Sequence, residues 1–260
     1  MDRSYLSASE VIEASRSFVC VRLVTFEDVE EMKFMNSIYD FRTPTKNSLF
    51  AILDPSAKEH LVKPGRSMEF TFDDAAQMAA KMEEIAKSYP GPDDVDPAKL
   101  GMPYLKDVRL ALNVAACDTQ SLIILYAPKV KDHRKLESLL LPLAWHKDLM
   151  GEFLFVATDK LADLAKISET GIAPGLLVVT PGTYGLEGRQ VAFVPLSAKA
   201  SDAHAILVAA AEANRLGSKD SKRHIGRGRR EGVKWEPVLE DPGPVRNRRS
   251  RQESYGSDTD

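Results

Sequence analysis

The chain has 260 residues, 43% of them hydrophobic, with a formal net charge of −3 and two cysteines, Cys20 and Cys117. That length allows one or two domains with a sizeable core, and the near-neutral charge selects no class of partner. Two cysteines make neither a disulfide framework nor a zinc site, and no apolar run approaches the roughly 20 residues that span a membrane.

The opening stretch, MDRSYLSASEVIE, lacks the basic-then-apolar order of a signal peptide. With residue 1 as the true start, a cytoplasmic location is expected. Ser7 and Glu10 have capping-box spacing, which predicts a short helix over 8–16. Phe18 to Val24, FVCVRLV, reads as a strand, with Cys20 inside it as a buried thiol. Val29, Met32, Met35 and Ile38 predict a helix over 27–39. Leu49 to Leu53 reads as a strand, Asp54-Pro55-Ser56-Ala57 as a turn, and His60-Leu61-Val62 as the returning strand. Ala75, Met78, Ala79, Met82, Ile85 and Tyr89 share one helical face. Pro90, Pro92, Pro97 and Pro103, with Gly91 and Gly101, mark a linker over 90–106.

Beyond it, Val108 to Ala116 is helical. Leu122-Ile123-Ile124-Leu125-Tyr126 is short, apolar and rich in β-branched residues, so it reads as a buried strand. A break at Ala127-Pro128 follows. Leu136, Leu139, Leu140 and Leu143 then fall at helical spacing on one face. The loop between lies at the carboxyl end of its strand, where open α/β sheets usually place ligands. Phe153 to Thr158 is a strand, Leu161 to Ile167 a short helix, and Gly175 to Thr180 a strand. Pro181 to Gly185 turns the chain into a partner strand over 190–194, and 201–215 is a final helix. Strand, helix, strand, turn, strand, helix therefore occurs at 18–89 and again at 153–215, an internal structural repeat. Over 217–260 apolar residues nearly vanish, which predicts a disordered basic and polar tail.

The order of elements in 121–215 resembles the thioredoxin-like superfamily. SLIILYAPKVKDHRKLE stands where that family has an apolar strand, an Ala, a Trp-Cys-x-x-Cys motif and a Lys at the helix start. Setting Ala127 on the family's Ala puts Val130 and His133 at the two cysteine positions. GIAPGLLVV, Gly171 to Val179, looks like the family's segment of Gly, Ile, cis-proline and buried strand, with Pro174 as that proline. The resemblance implies an α/β fold. A thioredoxin-like domain at 107–216, with a mixed central sheet flanked by helices, follows a truncated thioredoxin-like unit at 1–89. It also implies a ligand groove formed by Lys129, Val130, Asp132, His133 and Pro174.

The family's chemistry needs a thiolate nucleophile and a resolving thiol. Neither Val130 nor His133 supplies one. The expectation is therefore a non-catalytic binding or scaffold protein without dithiol redox activity, with a protein as partner and no cofactor. One alternative is an oxidoreductase working through Cys117 alone, or through an upstream segment. Asp132 and His133 are the nearest to an acid/base pair, but sequence neighbours on a helix do not face each other, and Asp at a helix start is ordinarily a cap. The glycines of GTYGLEG, 182–188, fit a hairpin, because no Lys-Ser/Thr follows as in a phosphate loop. A second alternative is a nucleic-acid-associated protein using Lys222, Arg223, Arg227, Arg229 and Arg230 of the tail. Acidic residues interleave there, which favours a merely solvated tail. No metal ligands are assigned.

Overall fold

Leu122 to Tyr126 form the core of strand β2 (Ser121–Tyr126), in which all six residues are buried. In the computed structural model the described residues are 5–39, 49–91, 97–169, 173–214, 221–235 and 238–239. They divide into two units, Met1–Pro92 with Trp235–Asp260, and Asp93–Lys234.

The second unit runs α4 (Pro97–Leu100), β1 (Tyr104–Leu105), α5 (Val108–Asp118), β2, α6 (Val130–Ala144), β3 (Phe153–Thr158), a 3₁₀ turn at Leu161–Leu164, β4 (Ile167–Ser168), β5 (Gly175–Pro181), β6 (Gly188–Pro195), α7 (Ala200–Ala213) and α8 (Ser221–Arg230). Its six-stranded mixed sheet has the order β1-β3-β2-β5-β6-β4. β1 and β2 run parallel to β3, β5 runs antiparallel to β2 and β6, and β4 is parallel to β6.

A central strand must bury both faces, and β2 does so by alternation. Ile123 and Leu125 pack with Leu136, Leu140 and Leu143 of α6 and with Ala203 and Leu207 of α7. Leu122, Ile124 and Tyr126 pack on the other face with Val108, Ala111, Leu112 and Ala115 of α5. Asp107 caps α5, its carboxylate accepting from the Leu110 N–H at 2.8 Å. The β5–β6 turn is fixed against α5 by Gly185, whose φ is +68°. A Cβ there would come within 2.6 Å of Asn113 Cα and the Leu112 carbonyl oxygen.

The expected linker over 90–106 needs correction. The boundary between units falls inside it, but Pro97–Leu100 is helical. Tyr104 and Leu105 pair with Phe155 and Val156 as an edge strand of the sheet. The edge of β3 offers backbone donors and acceptors that this pairing satisfies.

The first unit differs more from its expectation. Its helices are α1 (Ser9–Ser15), α2 (Val29–Ile38) and α3 (Ala75–Ser88), with a 3₁₀ turn at Met68–Phe70. Residues 18–24 form no strand, and Cys20 is exposed. Where a hairpin was expected, two isolated bridges stand instead, Phe50 with Gly65 and Leu53 with His60. No paired strand occurs among the described residues of this unit. The repeat of strand, helix and hairpin expected at 18–89 is therefore not formed there. Its core is helical and methionine-rich, with Val11, Ile52, Met68, Met78, Met82 and Ile85 buried together.

The disordered tail expected over 217–260 is corrected in one part. Residues 221–230 form α8, although Gly226 and Gly228 each disfavour a helix by about 1 kcal/mol. Docking explains why it forms. The His224 ring lies 4.8 Å from that of Tyr184, and a Cβ on Gly228 would sit 3.0 Å from Tyr184 Cε1. The rest of that tail, apart from 231–235 and 238–239, lies outside the described residues. No helix among the described residues is long and apolar enough to cross a membrane.

Candidate functional site

The residues expected to form a ligand groove, Lys129, Val130, Asp132, His133 and Pro174, lie at the carboxyl end of β2. Ala127 donates its N–H to the Thr158 carbonyl at 3.1 Å, which extends the β2–β3 pairing by one bond before Pro128 ends it. The expected loop over 128–133 is shorter than its sequence suggests, because α6 already begins at Val130 with Lys129 as its cap residue. The N–H groups of Asp132 and His133 both donate to the Lys129 carbonyl at 3.0 Å. Val130 is 68% exposed on the first turn. Asp132 sits in that same turn, where its charge favours the helix N-terminus.

Pairing of Tyr126 with Gly175 sets Pro174 one step further out in register, abreast of Ala127. Pro174 and the start of α6 thus lie at the same end of the sheet. Gly175 is needed at this crossing. A Cβ there would lie 2.5 Å from the Phe193 ring and from the Val194 carbonyl oxygen. The expected cis bond is absent: the Ala173–Pro174 peptide is trans, the form that X–Pro bonds ordinarily favour.

Asp132 and His133 do not form an acid/base pair. His133 Nδ1 instead faces Glu137 Oε2 at 3.8 Å, an i,i+4 pair along the helix surface. Cys117 is exposed in the last turn of α5. It precedes β2, whereas Pro174 lies beyond the other end of that strand. Six residues of strand separate the two ends by about 20 Å. Cys117 and Pro174 therefore lie toward opposite ends of β2. Beside the amino end of β2 is an open cleft of about 310 Å³, lined by residues that include Gln120, Ser121, Gly151 and Asn214.

The basic residues named in the tail gather on α8. Arg223, Arg227, Arg229 and Arg230 are exposed, and Lys222 lies in the same helix. Arg227 Nε donates to Glu231 Oε1 at 2.6 Å, so part of this charge is neutralised within the helix end.

One constellation escaped the sequence reading. His146 and Asp148, in the turn after α6, meet His204 on α7. His146 Nδ1 and His204 Nε2 lie 3.3 Å apart. Asp148 Oδ2 is 3.4 Å from each of these nitrogens. The two imidazole rings stand edge to face with centroids 4.7 Å apart. The only hint in the sequence was the local His-x-Asp spacing, since His204 lies 58 residues from His146.

Compared with protein-family models, curated proteins and solved structures, the chain shows no match in any of the three.

Proposed function

We propose that this chain is a binding or scaffold protein of thioredoxin-like architecture whose partner is a protein, and that it lacks dithiol redox activity. The observation that carries the reading is the sulfur-free junction from Ala127 to His133, set beside Pro174 at the carboxyl end of the central strand. The strand order, with α6 and α7 on one face and α5 on the other, supports the same architecture. The trans bond before Pro174 counts against close kinship with the redox-active members.

Exchange needs a thiolate that attacks and a second thiol that resolves the mixed disulfide. In this placement Val130 and His133 occupy the positions of those two thiols. Residues three apart at a helix start have Cα atoms about 5 Å apart by helix geometry, within the span a disulfide accepts. A thiol at Val130 would also have its thiolate stabilised by the helix N-terminus.

The test is insulin reduction driven by dithiothreitol. The wild-type chain is expected to give no turnover above the dithiothreitol background. The double variant Val130→Cys/His133→Cys is expected to form an intramolecular disulfide and to accelerate the reaction. Wild-type turnover that vanishes in Cys117→Ser would replace this reading with a monothiol enzyme. A folded double variant that forms no disulfide would overturn the assignment of the junction.

A further inference from the structure

We infer that His146, Asp148 and His204 form a binding site for one Zn²⁺ ion, with a water completing a tetrahedral shell. The inference rests on the shape of the donor triangle. Its three edges are 3.3, 3.4 and 3.4 Å. Zn²⁺ holds imidazole nitrogen and carboxylate oxygen at about 2.0–2.1 Å in tetrahedral sites, and the edge of such a tetrahedron is therefore about 3.3–3.4 Å. All three edges match this value at once.

The two imidazole nitrogens are within hydrogen-bond reach of each other at 3.3 Å, but their contacts to the carboxylate are long for hydrogen bonds. An N–H···O bond between imidazole and carboxylate has its optimum near 2.9 Å, and both nitrogens stand 3.4 Å from Asp148 Oδ2. Here the three donors are evenly spaced. The Asp148 backbone N–H also points at His146 Nδ1 at 3.3 Å. It uses the lone pair that the metal would take, but at a length where little is lost by giving it up.

The ligands are borderline nitrogen and hard oxygen, a set suited to Zn²⁺ among abundant divalent ions. Three protein ligands leave the fourth position open to solvent. His146, Asp148 and His204 have 40%, 43% and 31% of their side-chain surface exposed, so an ion can enter directly.

The scaffold beneath is rigid, which a built site requires. His146 and Asp148 are flanked by Leu143, Ala144 and Leu149, all buried in the core that α6 shares with α7. His204 is flanked by Ala203 and Leu207, both fully buried in that same core. The turn itself is closed by the N–H groups of Leu149 and Met150, both donating to the His146 carbonyl at 2.9 Å. The buried neighbours thus hold the backbone of both ligand-bearing segments in place.

The experiment uses the full chain, stripped of metal by a chelator and titrated with ZnCl₂ by calorimetry. Co²⁺ serves as a second, spectroscopic probe. One Zn²⁺ per chain is expected, and the Co²⁺ form is expected to show the intense visible absorption of tetrahedral coordination. His204→Gln and Asp148→Asn should each weaken binding by roughly tenfold or more, since outer-shell partners alone are worth that much. His133→Gln should bind as the wild type does. Circular dichroism of each variant separates a lost ligand from a lost fold, and these half-exposed positions are expected to leave the spectrum unchanged. Absence of stoichiometric binding, or equal affinity in folded His204→Gln, would overturn the site. A weak octahedral Co²⁺ spectrum would overturn its geometry. Neither result bears on the sulfur-free junction, which lies at the other end of α6.

Discussion

β2 and the stretch 18–24 are both short apolar runs rich in valine, isoleucine and leucine, yet they occupy opposite extremes of burial. Every residue of β2 is buried, with a paired strand on each side and helices on both faces. In the first unit, Val19 is 92% exposed and Val21 is 70% exposed, and no ladder engages the stretch. The difference teaches that β-propensity expresses fit to a pleated, packed surface rather than a preference of the chain by itself. β3 and β5 flank β2, and α5 and α6 cover it. Residues 18–24 lead instead into α2, where Glu31 Oε2 accepts from the Val24 N–H.

Each unit holds one of the two tryptophans. Trp145 packs against the sheet core and donates to the Gly101 carbonyl at 2.9 Å. Trp235 donates to Glu27 Oε1 at 2.9 Å within the first unit. Fluorescence of Trp145→Phe and Trp235→Phe backgrounds therefore reports each unit separately in urea.

The largest contrast is expected in the cores. Leu136→Ala removes a fully buried side chain of α6 and should cost the second unit about 2–5 kcal/mol. Val21→Ala removes an exposed one and should shift the first unit by no more than about 0.5 kcal/mol. A comparable loss from Val21→Ala would show that 18–24 is packed after all, and the contrast would collapse.

A somewhat smaller effect is expected from Gly185→Ala. The added methyl meets the α5 backbone, and the residue must hold a left-handed conformation. Together these should cost about 2–4 kcal/mol, seen as a lower urea midpoint of the Trp145 signal. An unchanged midpoint would mean that the β5–β6 turn is not clamped on α5.

The smallest effect is one of pH and belongs to the first unit. The Asp54 carboxylate accepts from Ser56 Oγ and from the N–H groups of Ser56, Lys58 and Glu59. The Ser56 hydroxyl, followed by these backbone donors, holds its carboxyl well below the usual carboxylate range. A lowered folded pKa adds stability above the unfolded value near 4, and that stability is lost as pH falls through the folded value. Wild type should therefore exceed Asp54→Asn at pH 7 in the Trp235 signal, and the gap should narrow steadily toward pH 2. A gap that stays constant would show that the carboxylate does not organise the turn between Leu53 and His60.

Hydrophobic patterning alone located the helices at Val29–Ile38, Ala75–Ser88 and Val108–Asp118, the later turns of Val130–Ala144, and the strands at Ser121–Tyr126, Phe153–Thr158 and Gly175–Pro181. These runs are long or apolar enough to carry their own signal. The absence of sulfur between Ala127 and His133 was equally plain, because it is a property of composition. Tertiary structure decided the rest. Tyr104 and Leu105 became strand because β3 had an edge to pair, whereas among the described residues no strand pairs with 18–24. α8 formed on a glycine-bearing sequence because Tyr184 lay beneath it. His146, Asp148 and His204 came together because α6 and α7 pack on one face of the sheet, a proximity that no local pattern encodes.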